Sequence, residues 1–247
     1  AAVCVLGLAR TLSSPRVFLS VARNVTDPAA LGADASLFFV LDTGGRPLSD
    51  FSEAFAHLPP SGLAVVQGEN WGEASACAEY DRCGKACTLQ FHKLGVCLRL
   101  VEAAEVARRR RFDWLVRLRP DLEFHAPIGR LADLDARAVH ASFRESGLGD
   151  VNDHFAIVPR EHATAYFDIG SGCPSALDVQ TSRCMGDLAQ GQHTYPECAI
   201  KMRLEQFGAP IANFPRIFSL VRDDSCVRTV EMWRGLSHSD KCGNTGN

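Results

Sequence analysis

Residues 117–124, RLRPDLEF, place two arginines and two carboxylates directly after a short apolar run, FDWLV. Charge of both signs at the end of a strand is costly unless it is paired or used by a ligand. Arg117 and Arg119 alternate by two, so on a strand their side chains share a face and could grip diphosphate oxygens bidentately. Asp121, with Glu123 second, is the candidate ligand for a divalent cation. The segment therefore predicts a phosphate and metal site, and the alternative is a structural salt-bridge cluster.

Two further carboxylates could act in catalysis. Asp153 precedes an apolar strand, where it could lie at the edge of a site as a second carboxylate or bind an acceptor, or could simply belong to an Asx turn. Glu197 follows Pro196 in the first turn of a predicted helix. There it could be the general base for an acceptor hydroxyl, or could be stabilised by the helix dipole alone.

Charge and motif content exclude several classes of function. The net charge of -3 and a pI of about 6.3 give no global positive field to attract nucleic acid or an anionic membrane. The basic run 108–111 ends a predicted helix, where the macrodipole favours cations. The chain contains no G-x-S-x-G, Walker A or G-x-G-x-x-G motif.

The ten cysteines predict an oxidising compartment, because their even number fits five disulfides. Cys173 with Cys184 and Cys226 with Cys242 could close local loops, although connectivity cannot be deduced from sequence. A zinc site is the alternative for Cys77, Cys83, Cys87 and His92, but no C-x-x-C pair is present.

Other features also favour the secretory pathway. The sequon at 24–26 agrees with a luminal location, and no segment approaches the about 20 apolar residues of a membrane span. The chain opens directly on an apolar strand, so we expect that a signal peptide or membrane anchor has been removed. We therefore expect a location in the Golgi or ER lumen, or secretion, with membrane attachment only through that anchor.

Apolar runs alternate between strand and helix periodicity, which predicts an α/β fold with a mostly parallel sheet. The exit of the second strand carries Asp42, a candidate contact for a donor. Residues 69–87 look like a cross-linked surface loop. Predicted strands are AVCVLGL, SLFFVLDT, LAVVQG, FDWLVRL, HFAIVP and IFSLVR, and helices are predicted from Ser14 to about Asn24, from Leu94 to the basic run, and over 196–207.

An ordered set of motifs resembles a family of glycosyltransferase-like proteins of the GT-A type. The matching pieces, which span about residues 2–221, are AVCVLGLART, ADASLFFVLD, LQFHKLGVCLRLVE, FDWLVRLRPD, NDHFAIVPR and YPECAIKMRLEQFG. The resemblance implies a single Rossmann-like GT-A domain over 1–247, stapled by disulfides. Its nucleotide-sugar-binding half would be about 2–125, and its acceptor-side half about 126–247.

The resemblance also implies roles for individual residues. Asp121 would stand where GT-A enzymes carry their metal-binding DxD, although the chain has Arg-Pro-Asp at that position instead of a DxD. Arg117 and Arg119 would position a UDP- or GDP-sugar, with Mn²⁺ or Mg²⁺ as the cation. Gly7 and Arg10 would line the nucleotide pocket, and Glu197 would be the acceptor-side acid.

The predicted function is transfer of a sugar from a nucleoside diphosphate to a hydroxyl of a glycan or glycoprotein. A secreted carbohydrate-binding protein that kept the fold but lost transfer is the alternative, which the Arg-Pro-Asp sequence in place of the family's DxD permits. A disulfide-stapled interaction domain is a third possibility, but it explains the RLRPD segment poorly.

Overall fold

The computed structural model describes residues 1–66, 84–143, 151–169, 196–222 and 227–228. Within them a seven-stranded sheet has the order β3-β2-β1-β4-β7-β6-β8, and a three-stranded sheet has the order β10-β9-β5. The strands are β1 (Ala2–Leu8), β2 (Ser36–Asp42), β3 (Pro60–Val65), β4 (Trp114–Leu118), β5 (Leu122–Phe124), β6 (Val139–Phe143), β7 (Val151–Pro159), β8 (Ile211–Asn213), β9 (Phe218–Val221) and β10 (Val227–Arg228).

Helices cover the large sheet on both faces, which confirms the predicted α/β class. They are α1 (Pro15–Val21), α2 (Pro28–Leu31), α3 (Ser52–His57), α4 (Gly84–Arg108), α5 (Ala163–Phe167) and α6 (Pro196–Gln206). A π-helical turn over Ala22–Thr26 and short 3-10 turns complete the helical segments. The predicted strands and helices agree with these bounds to within a few residues, except at the start of α4.

The large sheet is mostly parallel, as predicted. The pairs β3–β2, β2–β1, β1–β4 and β6–β8 are parallel. Only β7 is antiparallel to both of its neighbours, β4 and β6. The first five residues of β1 are fully buried, which is typical of a parallel strand covered on both faces.

Alternate residues of the strands pack into two separate hydrophobic cores, one on each face of the large sheet. Cys4, Leu6 and Leu115 pack with α4, α5 and α6 on one face. Val3, Val5 and Val116 pack with α1, α3 and the small sheet on the other. The period of two in the side chains of a strand explains this division.

A disulfide joins the sheet to α4. Cys4 in β1 bonds to Cys97 in α4, with a Cα–Cα distance of 6.2 Å, and both residues are fully buried. This bridge supports the prediction that disulfides staple the fold. The proposed pairs 173–184 and 226–242 lie outside the described residues.

The predicted surface loop over 69–87 is wrong at its end, because α4 already begins at Gly84. The zinc alternative involves Cys77 and Cys83, which lie outside the described residues. Among those described, no helix is long and apolar enough to span a membrane.

The sequon does not fit glycosylation of the folded chain. Asn24 is buried within the π-helical turn, and its side-chain Nδ2 donates to the carbonyl of Phe124 at 2.9 Å. A glycan on this nitrogen would remove that hydrogen bond and would have no room in the core. The sequon therefore gives no support to a luminal location.

Candidate functional site

The site lies at the carboxyl ends of β1 and β4. The chain passes from β1 to β2 on one side, whereas β4 lies on the other side of β1. A crevice forms where the strand order reverses in this way, and open α/β sheets bind their ligands there. A methyl group added to Gly7 would lie 3.1 Å from Cδ of Pro120, so the two strand exits are in close contact.

Gly7 has a φ of +143°, which side chains rarely tolerate. We expect Gly7→Ala to lower the free energy of unfolding by about 2 kcal/mol, through backbone strain and contact with Pro120. Gly129→Ala is the control, because Gly129 has a φ of +84° but no atom within 4 Å of an added methyl. Urea unfolding measures both variants, and equal losses would show that the Pro120 contact contributes nothing.

Asp121 is the centre of a charged triad at the end of β4. Its Oδ1 accepts from Nε of Arg119 at 2.9 Å, and its Oδ2 accepts from Nη2 of Arg119 at 2.9 Å and from Nη1 of Arg222 at 3.3 Å. Asp121 is only 1% exposed. Burial alone would lower the pKa of Arg119, but neighbouring carboxylates, Asp121 first among them, raise it. The arrangement is that of the predicted salt-bridge alternative.

A second ion pair lies at the end of β2. Nζ of Lys93, on α4, lies 3.6 Å from Oδ2 of Asp42, and Oδ1 of Asp42 accepts from the backbone N–H of Gly44. Burial lowers the pKa of Lys93, Asp42 opposes that shift, and Arg119 adds to it. Asp42, which is predicted to contact the nucleotide-sugar donor, is therefore paired with Lys93 close to the triad of Asp121.

Asp153 reaches the same region from β7. Ala141 of β6 pairs with Ala156 of β7, but Phe143 pairs with Val151. The register therefore advances by two residues in β6 and by five in β7. Such an irregularity changes the face to which side chains point. Asp153 accordingly meets α4, where its Oδ2 accepts from Nε2 of Gln90 at 2.7 Å.

Asp153 is held in its ionised form. Burial would raise the pKa of its carboxyl, but the charge of Arg117, followed by His154 and Arg119, outweighs burial and lowers that pKa. The Asx-turn alternative applies instead to Asn152, whose Oδ1 accepts from the backbone N–H of His154 at 2.8 Å. The carboxylate of Asp153 is thus not used in a turn.

Arg117 lies inside the core rather than at the surface of the crevice. It is 1% exposed, its Nη2 lies 3.8 Å from Oδ2 of Asp153, and its Nε and Nη1 make no hydrogen bond within the described part of the chain. Tyr166 of α5, also fully buried, lies beside it. Arg117 therefore positions Asp153, and its predicted contact with a donor stays a prediction.

His154 provides a pH test of this cluster. Burial lowers its pKa from 6.5 to about 4, against the charge of Asp153. Between these values the unfolded chain binds a proton that the folded chain does not. Stability therefore falls as the pH is lowered from 6.5 to 4, by up to about 3 kcal/mol.

We expect His154→Gln to lose this component of the pH dependence. Denaturant unfolding at pH 7 and pH 4 compares the two proteins. An equal loss of stability in wild type and variant would show that His154 is not responsible.

Two other predicted residues lie at the rim. Glu197 occupies the first turn of α6, as predicted, and is close enough for its charge to raise the pKa of Arg119. Arg10 is exposed in the segment after β1, where its carbonyl accepts from Nη1 of Arg46. Glu123 is not part of the crevice, because it pairs with Arg16 of α1, whose Nε donates at 2.9 Å.

The structure thus brings together most of the predicted site residues. It places Gly7, Asp42, Arg117, Arg119, Asp121, Asp153 and Glu197 around the strand exits. Sequence analysis missed Gln90, Lys93, His154 and Arg222. A lysine within the apolar stripe of α4 was the available signal for Lys93, whereas nothing local marks Arg222.

The described side chains do not fit a metal at Asp121. Both of its oxygens accept from guanidinium groups, so a divalent cation would have to displace them. No group of three His, Cys, Asp or Glu side chains in the described ranges converges as a metal site. We therefore derive no step through a metal.

Comparison with known proteins gave structural similarity only. No protein-family model and no curated protein matches the chain. The chain is similar to the glycosyltransferase GlyE of Streptococcus pneumoniae TIGR4 at 14% identity and a TM-score of 0.42. It is also similar to the galactosyltransferase LgtC, solved with donor and acceptor sugar analogs, at 13% identity and a TM-score of 0.45.

Both similarities cover 86% of this chain. The chain spans 44% of the length of GlyE and 73% of that of LgtC. Because a fold does not imply a function, the function is argued from the side chains of the site.

Proposed function

We propose that the chain is a glycosyltransferase that moves a sugar from a nucleoside diphosphate to a hydroxyl of a glycan or glycoprotein. The observation that carries the proposal is the convergence of Arg119, Asp121 and Asp153 at the switch point between β1 and β4. Cations there suit a diphosphate, and an ionised carboxylate beside them suits activation of a hydroxyl. The resemblance of the sequence to GT-A proteins points the same way.

In the proposed reaction, Asp153 accepts the proton of the acceptor hydroxyl. The hydroxyl oxygen then bonds to the anomeric carbon as the bond from that carbon to the phosphate breaks. The electron pair of the broken bond goes to the nucleoside diphosphate, whose charge Arg119 stabilises. Glu197, in the first turn of α6, is the second candidate for the general base. Its charge acts on Arg119, so it lies near the same site.

The predicted location in the secretory lumen stays a proposal. The buried disulfide between Cys4 and Cys97 supports an oxidising compartment. A carbohydrate-binding protein without transfer remains the alternative, which the Arg-Pro-Asp sequence in place of a DxD permits.

A panel of nucleotide-sugars tests the proposal. UDP or GDP at 100 times its dissociation constant should stabilise the chain by about 2.7 kcal/mol in thermal unfolding. The matching nucleotide-sugar should release its nucleoside diphosphate when acceptor glycans are added. Glycan binding without release would favour the carbohydrate-binding alternative, and no stabilisation by any nucleotide would contradict both a donor site and transfer.

A further inference from the structure

We propose that the diphosphate of the donor is bound without a metal, by Arg119 and Arg222, and that Asp121 is a positioning residue that holds both. This inference rests on the proposed function and specifies how its donor site works. It gives Asp121 a role different from the metal ligand that the sequence predicts.

Asp121 has the geometry of a residue that positions the two arginines. Its carboxylate is 1% exposed and is reached by arginines from two separate segments, one after β4 and one after β9. The side chains of Arg119 and Arg222 are 24% and 30% exposed. A buried anion thus fixes two partly exposed cations.

The backbone strengthens this arrangement. The N–H of Val221 donates to the carbonyl of Asp121 at 2.8 Å, and Oγ1 of Thr11 donates to the carbonyl of Val221 at 3.0 Å. The end of β9, and with it Arg222, is therefore tied to the exits of both β4 and β1. Preorganisation of this kind lowers the entropic cost of binding an anion.

The charge of the triad also suits a diphosphate. Two guanidinium groups against one carboxylate leave the triad of Arg119, Asp121 and Arg222 with a net charge of +1. Of the other carboxylates nearby, Asp42 pairs with Lys93 and Asp153 with Arg117, whereas the charge of Glu197 acts on Arg119. The triad therefore offers positive charge to a diphosphate, whereas a divalent cation would have to displace guanidinium groups from both oxygens of Asp121.

Calorimetric titration of UDP, GDP and inorganic pyrophosphate tests the inference, each in EDTA and in Mn²⁺. We expect the same affinity within about threefold in both buffers, because the proposed contacts to the diphosphate come from guanidinium groups and not from a metal. Binding only with Mn²⁺ would overturn the metal-free inference and leave the proposed function intact. No binding of any of the three in either buffer would overturn both.

Variants assign the binding to the triad. Arg222→Ala should weaken UDP binding in EDTA by about 30-fold or more, since a charge-assisted contact is lost. Arg137→Ala is the control, because Arg137 also donates to an aspartate, Asp135, at 3.0 Å for both bonds, on an exposed part of the surface. Wild-type affinity in Arg222→Ala would overturn the assignment.

Asp121→Asn separates positioning from metal binding. It should weaken UDP binding in EDTA, because an amide holds the two arginines less firmly than a carboxylate does, and Mn²⁺ should not restore the affinity. If the variant kept wild-type affinity in EDTA and lost only an enhancement by Mn²⁺, Asp121 would be a metal ligand and the inference would be wrong.

Discussion

Replacement of Asp153 by Asn is expected to lower transfer turnover by on the order of 10³-fold, the range of a lost general base. The carboxylate is ionised because Arg117, His154 and Arg119 hold its pKa down against burial. Asparagine has nearly the same shape and can still accept from Gln90, but it cannot take the proton of an acceptor hydroxyl. The affinity for UDP should change far less than the turnover.

Two controls isolate this effect from folding. Asp133→Asn changes an exposed aspartate in a surface 3-10 turn and should leave turnover unchanged. Gln90→Ala removes only the hydrogen bond to Asp153 and should lower turnover about tenfold, as expected for a lost neighbour that positions the base. Turnover of a folded Asp153→Asn protein within tenfold of wild type would show that another group, with Glu197 the first candidate, is the base.

Removal of the Cys4–Cys97 disulfide is expected to lower the free energy of unfolding by about 4 kcal/mol. The bridge closes a segment of 93 residues, and loop entropy for a segment of that length gives a cost of this order. Both sulfurs lie in the core between β1 and α4, so Cys4→Ala with Cys97→Ala also leaves a small cavity.

Urea unfolding of the double variant measures the loss, and reduced wild-type protein provides the matched control with unchanged side chains. A loss below about 1 kcal/mol in both would show that the unfolded chain is not restrained by the bridge. Because α4 carries Gln90 and Lys93, we also expect the double variant to bind UDP more weakly.

The fold was predictable from the sequence because apolar runs with clear boundaries mark its elements. Each of the strands β1, β2 and β4 is a short run rich in β-branched or large apolar residues, buried on both faces. Pro15 and Pro196 mark the starts of α1 and α6. The start of α4 was missed because the polar, cysteine-rich segment before it carries no helical period.

The site was only partly predictable, since its pairings join distant parts of the chain. The clustering of Arg117, Arg119 and Asp121 is visible locally, but Arg222 lies 101 positions from the Asp121 that it contacts. The side-chain period of a strand also predicted that Arg117 and Arg119 both face the ligand. In the structure Arg117 is buried beside α5, whereas Arg119 reaches the rim of the crevice. No local pattern reveals the irregularity in β7 that brings Asp153 to α4.

The burial of Asn24 was likewise not predictable from the local sequence. Its triplet satisfies the sequon, yet the packing of the π-helical turn against Phe124 decides that its amide lies in the core. Whether a residue is buried depends on the whole fold, so a three-residue motif cannot reveal it.

A crystal structure of the protein with UDP bound in EDTA tests the central claim most directly. We predict that the diphosphate lies in the crevice between Gly7 and Asp153, with its oxygens within hydrogen-bond distance of Arg119 and Arg222. UDP bound away from the exits of β1 and β4, or a diphosphate that contacts neither arginine, would contradict the account.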